Sequence, residues 1–562
     1  MALAKAETTS SQEIGVYPIH EKSKKLYMSF MYVTFISLLI GGLMGLLQTL
    51  VRSGKLTLPW GIGYYQILTV HGVILALVMT TFFIIGFQFS LMEKSVGMSD
   101  KQRKFGWLSF WVMLIGTIMA ATMILLGKAS VLYTFYAPLK AHPVFYIGLA
   151  LVIIGSWIAA FTNFHQISVW KKKHPGEKTP LPAFMVAINM IMWFIATLGV
   201  ATAVLVQFIP WSLGYASTIN VLLSRTLFWY FGHPLVYFWL LPAYMTWYVI
   251  IPKIIGGRIF SDALARMSFV LLLFFSIPVG FHHQLTEPGI HPTWKFIQVA
   301  LTMMVVIPTL MTAFSMFATF EITGRKKGGK GVFGWMKKLP WGDVRFLAPF
   351  LGMIGFIPGG AGGIINASHQ LNMVVHNTIW VTGHFHLTVA TVVLLTFFGV
   401  TYWLVPHLTG RKLTPQLNKL GIIQSVIWSV GMLIMSTAMH IQGLKGGPRR
   451  SEFSEYGGTA QAQEWIGYQM AQAVGGTILF IAILLMLYIF VKLAFFAPKG
   501  VTEYPLAQEE PDAEPTPAWF ENWKMWIGIT VALILFAYSI PVFDMIQYSP
   551  PGSPPFSWPI GN

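Results

Sequence analysis

The stretch WVTGHFHL, residues Trp380–Leu387, lies inside an apolar run that extends from Asn377 to Leu404. Ionisable side chains are costly at hydrocarbon depth, so His384 and His386 are candidate functional residues. A helix turns about 100° per residue, which points residues two apart toward opposite sides. The two histidines therefore cannot share one metal, but each can hold a different cofactor. Histidines that merely hydrogen-bond to neighbouring helices are the simpler alternative.

The composition places this apolar run in a membrane. The 562 residues are 55% hydrophobic and 10% charged, whereas ordinary soluble domains carry about 25% charged residues. Repeated apolar runs predict an all-α fold, a polytopic membrane helical bundle. We count 13 spans, which start near residues 26, 62, 105, 143, 182, 224, 262, 295, 346, 376, 418, 468 and 524.

The net charge of +17 does not indicate a nucleic-acid partner, because the lysines and arginines cluster in short loops. They are more frequent in the loops that are inner when the N-terminus is inside, as the positive-inside rule requires. This predicts a cytoplasmic N-terminus and, after an odd number of spans, an outer C-terminus. We expect one domain over residues 1–562, with an acidic, proline-rich cytoplasmic linker at 503–517 and an extended tail at 549–562.

Further histidines lie at the depth of His384 and His386. His71 and His233 each lie about nine residues into a span that runs inward, ~12–15 Å below the outer surface. The chain has no cysteine, which excludes thiolate-ligated heme, iron–sulfur clusters and covalent c-type heme. Any metal must therefore use His, carboxylate, Met or Tyr ligands.

His282 and His283 lie at the outer end of the seventh span, nominally shallower than the others. Pro278 and Gly280 can loosen the helix so that both imidazoles converge on one ion with His233. Three neutral imidazoles suit copper, zinc or iron. The remaining three membrane histidines could bind one heme from both sides and a second heme from one side.

Two other features accompany these histidines. Tyr237 follows His233 by four residues and shares its helix face. A phenol beside a metal can donate a proton and an electron. The alternative is that Tyr237 is an aromatic side chain packed at the membrane interface.

The glycine-rich run Ile357–Gly363 in the ninth span is typical of a helix that a neighbouring backbone or a flat cofactor approaches closely.

The motifs GHPLVY at Gly232–Tyr237, FHH at Phe281–His283 and GHFH at Gly383–His386, with His71 upstream, resemble subunit I of the heme-copper oxygen reductases. The resemblance covers nearly the whole chain. It implies a terminal oxidase subunit that reduces oxygen to water in a respiratory chain and couples this reaction to proton pumping. The implied ligands are His71 and His386 for the low-spin heme, His384 for the high-spin heme, and His233, His282 and His283 for copper B. Tyr237 would be the catalytic tyrosine, joined covalently to His233.

The chain is more similar to the B family, whose best-known members are bacterial cytochrome c oxidases. It has Leu235 where A-type enzymes carry a glutamate, and it lacks the lysine that those enzymes carry in the eighth span. This implies a low-spin heme b, a high-spin heme of a or o type, and copper B. It also implies a bacterial cell membrane with its lipid, a subunit II with a dinuclear copper centre, and cytochrome c as the donor. The implied heme-propionate contacts are Arg449, Arg450, His376 and residue 372, where Asn372 replaces the expected aspartate.

A proton route from the cytoplasm is predicted by two hydroxyl stripes. On the sixth span, spacings of seven and four place its tyrosines on one face, and the eighth span repeats a hydroxyl every three residues. Hydroxyls that satisfy backbone carbonyls are the alternative. Besides Tyr237, the predicted route comprises Tyr244, Tyr248, Ser261, Thr309, Thr312 and Ser315.

Two other functions fit part of the pattern. A transporter with an intramembrane proton relay would explain many spans and buried histidines, but not the paired histidines at matched depth. Nitric oxide reductases, the second candidate among enzymes, use iron with carboxylate help and lack the tyrosine, so Tyr237 argues against them.

Overall fold

The structure, a computed structural model, describes residues 16–59, 61–452, 455–510, 514–549 and 554. Within these ranges the chain forms no β-strand, although three isolated bridges occur. The main helical segments are α1 Glu21–Arg52, α2 Tyr64–Val96, α3 Asp100–Leu125, α4 Pro143–Lys173, α5 Leu181–Leu213, α6 Val221–Ile254, α7 Asp262–Ser276, α8 Pro292–Lys326, α9 Val344–Ala367, α10 Ile379–Thr409, α11 Pro415–Leu444, α12 Ala460–Phe496 and α13 Trp523–Gln547.

Twelve helices in the described part of the chain are long and apolar enough to cross a membrane, which confirms the predicted all-α bundle. The remaining predicted span, α7, has 15 residues and rises about 22 Å, less than the ~30 Å of a bilayer core. Proline has no backbone N–H and cannot continue the hydrogen bonds of a helix, and α7 ends at Ser276, two residues before Pro278. The chain then enters a 3₁₀ segment, Gly280–Gln284.

The two most enclosed of the twelve candidate spans are α6, which carries His233, and α10, which carries His384 and His386. In both α6 and α10, 89% of the most apolar 18-residue window is buried, against 28% in α9 and α13. The corresponding value for α2 is 72%. Apolar length alone would place all of these helices equally well against lipid, so packing rather than hydropathy distinguishes the centre of the bundle from its rim.

Glycines allow the peripheral helices to pair closely. A Cβ added at Gly116 on α3 would lie 2.5 Å from the carbonyl oxygen of Gly148 on α4, and one at Gly148 would lie 2.6 Å from that of Gly116. Gly431 on α11 and Gly475 on α12 approach each other in the same way. Small residues at such crossings allow the van der Waals contact that drives helix association in membranes.

Four helices in the described part of the chain contain a π-helical segment. These segments are Val73–Met79 in α2, Ala203–Phe208 in α5, His386–Val393 in α10 and Lys492–Phe496 in α12. The first begins two residues after His71 and the third begins at His386. Local π-helix is often found at functional sites, and here it follows both predicted ligands of the low-spin heme.

The described part of the predicted linker at 503–517 contains no helix and packs against the ends of α6 and α7. The backbone N–H of Ala507 donates to the Val249 carbonyl (2.8 Å), and that of Ile259 donates to the Gln508 carbonyl (3.0 Å). Residues 511–513 of this segment, and all of the predicted tail at 549–562 except residues 549 and 554, lie outside the described residues.

A buried arginine joins three parts of the chain beside this segment. Arg266 on α7 is 0% exposed and donates to Asp262 (2.7 Å) and to the backbone carbonyl of Thr179 (2.7 Å). Its guanidinium also lies 3.5 Å from Glu521, which precedes α13. The α4–α5 connection, α7 and the approach to α13 are therefore held by one cation.

Candidate metal centre

Three histidines from two elements converge beside α6. His233 lies on α6, and His282 and His283 lie on the 3₁₀ segment after α7. Their ring centres are 4.0–5.6 Å apart, and one ligand atom of each lies within 4.8 Å of the others. Nδ1 of His233 is 3.4 Å from Nε2 of His283, a separation that suits two nitrogens each about 2 Å from one ion.

The 3₁₀ segment is held in place by side chains from two other helices, α8 and α13. The N–H of Gly280 donates to the Tyr538 hydroxyl (2.9 Å), and the N–H of Phe281 donates to Gln298 Oε1 (2.8 Å). Nδ1 of His282 lies 2.5 Å from the Val279 carbonyl and 3.1 Å from the Thr302 hydroxyl. Because Nδ1 donates there, Nε2 of His282 is the nitrogen available to a metal, with the outer hydrogen bond that metal-binding histidines commonly make.

His71 on α2 and His386 on α10 face each other across a gap. Their ring centres are 6.1 Å apart and their planes differ by 10°. Nδ1 of His71 donates to the Gly41 carbonyl, and Nδ1 of His386 donates to the Thr382 carbonyl, both at 2.8 Å. Each Nε2 is therefore free to bind, and the gap admits one metal atom between two bonds of about 2 Å.

His384 lies on a different side of α10. Its ring packs against that of Trp380, with centres 5.9 Å apart. A Cβ added at Gly362 on α9 would lie 2.7 Å from Nδ1 of His384, so the glycine-rich run approaches this imidazole at a distance that a side chain would prevent.

One cavity of about 1060 Å³ connects all six histidines. The glycine-rich run contributes Gly359, Gly360 and Gly363 to its wall, and α11 contributes Met432, Met435 and Met439. An apolar cavity with a few convergent polar groups is the usual form of a cofactor site. The residues present fit two flat, histidine-bound cofactors and one metal ion bound by three imidazoles.

A protein-family model described as Cytochrome C and Quinol oxidase polypeptide I matches residues 25–478, a range that contains all six histidines. The chain belongs to the heme-copper oxidase subunit I family. It is 40% identical to cytochrome c oxidase subunit 1 of Thermus thermophilus over 565 residues, 98% of this chain and 99% of the relative. Quinol oxidase subunit 1 of Bacillus subtilis is 26% identical over 456 residues, which cover 76% of this chain and 66% of that protein.

The fold agrees with this assignment. A solved heme-copper terminal oxidase dimer superposes with a TM-score of 0.90 at 36% sequence identity, covering 97% of this chain and 96% of that one. Membership of the oxidase family makes this chain a membrane-embedded, oxygen-reducing enzyme subunit of a larger complex, with hemes and copper B as the family's cofactors. The transporter interpretation is therefore wrong.

Within the oxidase cavity, Tyr237 contacts the histidine triad. Its ring centre is 4.7 Å from that of His233, and it lines the same cavity. Nε2 of His233 is buried and has no hydrogen-bond partner among the described residues. The free nitrogen and the phenol ring lie on the same side of α6, as the four-residue spacing predicts.

The four predicted propionate contacts all line the cavity. Asn372 donates to the Asn366 carbonyl (2.6 Å) and accepts from Nδ1 of His376 (3.1 Å). Burial and the positive charge of Arg449 lower the pKa of His376 to about 4, so this imidazole is neutral near pH 7. Burial beside Arg450 lowers the pKa of Arg449 to about 10. Nε of Arg449 and one Nη of Arg450 are buried without a hydrogen-bond partner in the described structure.

The predicted hydroxyls are brought together in part. The Tyr248 hydroxyl donates to Thr312 (3.1 Å) and lies 3.3 Å from the Ser268 hydroxyl. Tyr244 and Thr309 line the cavity above them, and Ser315 is buried one turn after Thr312. Ser261 is not brought to this group: it caps α7 by accepting from the N–H of Leu264 (3.2 Å).

Sequence reasoning missed Ser268, which links α7 to Tyr248. Ser268 follows Ser261 by seven residues, a spacing that would place both on one face of a continuous helix, and Ser261 is the extended residue that caps α7. Its hydroxyl also donates to the Leu264 carbonyl (3.0 Å) within its own helix, so its lone pairs face Tyr248.

Proposed function

We propose that this chain is the catalytic subunit I of a bacterial terminal oxidase, which reduces oxygen to water at a high-spin heme and copper B centre fed by a low-spin heme. The reaction is coupled to proton pumping. The observation that carries the proposal is the presence of two separate histidine groups, the convergent triad and the parallel pair, on one cavity. An oxidase needs both a place for electrons to enter and a place for oxygen to react.

Copper B is assigned to the triad. Nδ1 of His233 lies 3.4 Å from Nε2 of His283, and the hydrogen bonds of His282 Nδ1 direct its Nε2 to the metal; a set of three imidazoles suits copper. The low-spin heme, of b type, is assigned to His71 and His386. The high-spin heme, of a or o type, is assigned to His384. When bound, these groups supply the electrons and the coordination positions for oxygen reduction.

The chain's own residues handle the protons. Tyr237 lies against His233 and can donate a proton and an electron to the reacting site; its proximity to the free Nε2 of His233 supports the expected covalent link between them. The surrounding wall is largely apolar, which limits water and confines proton delivery to positioned hydroxyls. Tyr244, Tyr248, Thr309, Thr312 and Ser315 would form that delivery path from the cytoplasm, with Ser268 as an additional member and Ser261 at its entrance.

The free guanidinium donors of Arg449 and Arg450 support their assignment to heme propionates, because a carboxylate matches their paired N–H geometry. His376 and Asn372 would complete this polar end of the cavity as neutral partners. The hydrogen bond from His376 to Asn372 fixes the tautomer that leaves Nε2 of His376 toward the cavity.

We further propose a B-family oxidase that accepts electrons from cytochrome c through a subunit II with a dinuclear copper centre. The likeness to a cytochrome c oxidase subunit 1 over 98% of the chain supports this donor. The N-terminus would be cytoplasmic and the C-terminus outside, with residues 1–562 forming one domain in the bacterial cell membrane. Residues 503–517 would connect the last two spans on the cytoplasmic side, and 549–562 would form an outer tail.

Metal and heme analysis of the purified complex tests this function. We expect one copper in subunit I that is lost in His283→Ala, together with two hemes, one of them low-spin. The complex should oxidise reduced cytochrome c faster than quinol. Zinc or non-heme iron at full occupancy in the triad would contradict an oxygen reductase and favour a nitric oxide reductase.

A further inference from the structure

The last helix, α13, has a buried contact with the segment that carries His282 and His283. Most of α13 belongs to the rim of the bundle, since 28% of its most apolar 18-residue window is buried. Ala537 and Tyr538 on this helix are nevertheless buried, and they pack with Phe281 of the 3₁₀ segment in one apolar cluster. A helix at the rim therefore reaches the neighbourhood of the histidine triad.

The 3₁₀ segment begins with backbone donors that its own helix cannot satisfy. Pro278 has no N–H with which to continue α7, and Val279 has a non-helical backbone (φ −140°, ψ 12°). The first N–H groups of a helix lack intrahelical partners, and here they belong to the buried residues Gly280 and Phe281. Because an unpaired buried N–H is costly, the segment needs acceptors from elsewhere in the fold.

Both acceptors depend on α13. The Tyr538 hydroxyl accepts directly from the N–H of Gly280 (2.9 Å). Gln298 on α8 bridges the second pair, because its Oε1 accepts from the N–H of Phe281 (2.8 Å) and its Nε2 donates to the Ala537 carbonyl (3.1 Å). Two adjacent residues of α13 thus hold two adjacent residues of the 3₁₀ segment.

A proline makes the Ala537 carbonyl available to Gln298. Pro541 lies inside α13, four residues after Ala537. In an α-helix the N–H of residue i donates to the carbonyl of residue i−4, and proline has no N–H. The Ala537 carbonyl therefore lacks its usual helical donor, and the side-chain amide of Gln298 donates to it instead. The proline in α13 is thereby linked to the position of the 3₁₀ segment.

We propose that α13 positions the copper-binding histidines, with Tyr538, Gln298 and Pro541 as positioning residues. This inference rests on the proposed assignment of copper B to the histidine triad. His282 and His283 directly follow the two residues that α13 holds, so the backbone at the start of the segment sets the direction of both imidazoles. Loss of a hydrogen bond there allows both ligands to move relative to α6, which carries the third.

The first test compares the rate of copper loss from the reduced, complete oxidase complex in timed dialysis against a Cu⁺ chelator. Groups that orient metal ligands contribute about 10–100-fold to metal affinity, so Tyr538→Phe, which removes only the hydroxyl, should lose copper about tenfold faster. Thr530→Val is the matched control, because it removes a buried hydroxyl of the same helix that donates to the Trp526 carbonyl (2.8 Å). We expect little change in its rate. Equal rates in the two variants would overturn the proposal.

Pro541→Ala separates positioning from general stability, and it also serves if Tyr538→Phe does not assemble. Alanine restores the helical N–H at position 541, which competes with Gln298 for the Ala537 carbonyl. The helix gains a hydrogen bond while the 3₁₀ segment loses a support. We expect an equal or longer thermal half-life of the complex but copper loss about fivefold faster, the equivalent of one neutral hydrogen bond. Copper loss that merely follows the thermal half-life would overturn the proposal.

A spectroscopic measurement examines the same two variants without reference to turnover. Carbon monoxide added to the reduced complex serves as the probe of the copper site, and its infrared stretching band is recorded after photolysis at low temperature. The band should shift or broaden in Tyr538→Phe and Pro541→Ala and stay unchanged in Thr530→Val. An unshifted band in both test variants would contradict a positioning role for α13.

The proposed function and this inference fail in different ways. Absence of copper from the unsubstituted complex would refute the assignment of the histidine triad, and the inference with it. Copper that is present in the unsubstituted complex and retained equally in Tyr538→Phe and Pro541→Ala would refute the inference alone.

Discussion

Gly45 has no side chain, and this allows α1 to approach His71 closely. In Gly45→Ala the new Cβ would lie 2.7 Å from Cε1 and 2.8 Å from Nδ1 of His71, so the imidazole must move away from the Gly41 carbonyl. Overpacking of this kind costs about 1–3 kcal/mol, and we expect the low-spin heme signal per protein to fall. Gly528→Ala on α13 is the control, because a Cβ there meets nothing within 4 Å. Equal heme content in the two variants would contradict the prediction.

Three helices, α6, α7 and α8, meet at the Tyr248 hydroxyl, which contacts Ser268 and Thr312. Positioned proton-transfer groups contribute about 10²–10⁴-fold to rates, so Thr312→Val and Tyr248→Phe should slow oxygen reduction and proton uptake together, by roughly tenfold or more. Thr34→Val is the control, since the Thr34 hydroxyl donates to the Phe30 carbonyl on its own helix (2.9 Å). Near-normal turnover in both test variants, with uptake measured in vesicles, would show that protons travel elsewhere.

At the scale of the whole molecule, distant parts of the chain depend on the Arg266 cation. Arg266→Leu leaves the carboxylate of Asp262, which is 7% exposed, without this partner, and breaking a buried pair costs about 3–5 kcal/mol. We expect a clear fall in the thermal half-life of the purified complex. Arg325→Leu, which removes an exposed pair with Glu321, should cost at most about 1 kcal/mol. Similar half-lives for the two variants would show that the buried network does not hold the bundle together.

The helices can be predicted from the sequence because apolar length and histidine spacing are local properties. The apolar pattern predicts that the seventh span starts near residue 262, and α7 begins at Asp262. Its end at Ser276 is harder to predict, because the 3₁₀ segment with His282 and His283 is held by Gln298 on the next helix and by Tyr538 on the last one. The sequence therefore indicates which histidines could meet, whereas tertiary contacts determine how they do.

Arg52, the last residue of α1, lines the cofactor cavity and shows the same limit. In the sequence it is one of several cations at span ends, where the positive-inside rule offers no reason to single it out. Its Nε and one Nη are buried without a hydrogen-bond partner among the described residues, which becomes visible only once the surrounding side chains are placed. Ser268, by comparison, is detectable from its seven-residue spacing to Ser261, because a helix face is a property of the sequence itself.

The π-helical segments allow the two halves of a helix to keep separate rotational phases. A π-turn closes its hydrogen bond one residue later than an α-turn. Each π-helical segment therefore has the geometry of an α-helix into which one extra residue has been inserted. In α10 the segment His386–Val393 separates the turn that carries His384 from the half that ends at Thr409. Deleting one residue there would rotate one half against the other by about 100°. Substitutions that change how the second half of α10 packs can therefore occur while the imidazoles keep their direction.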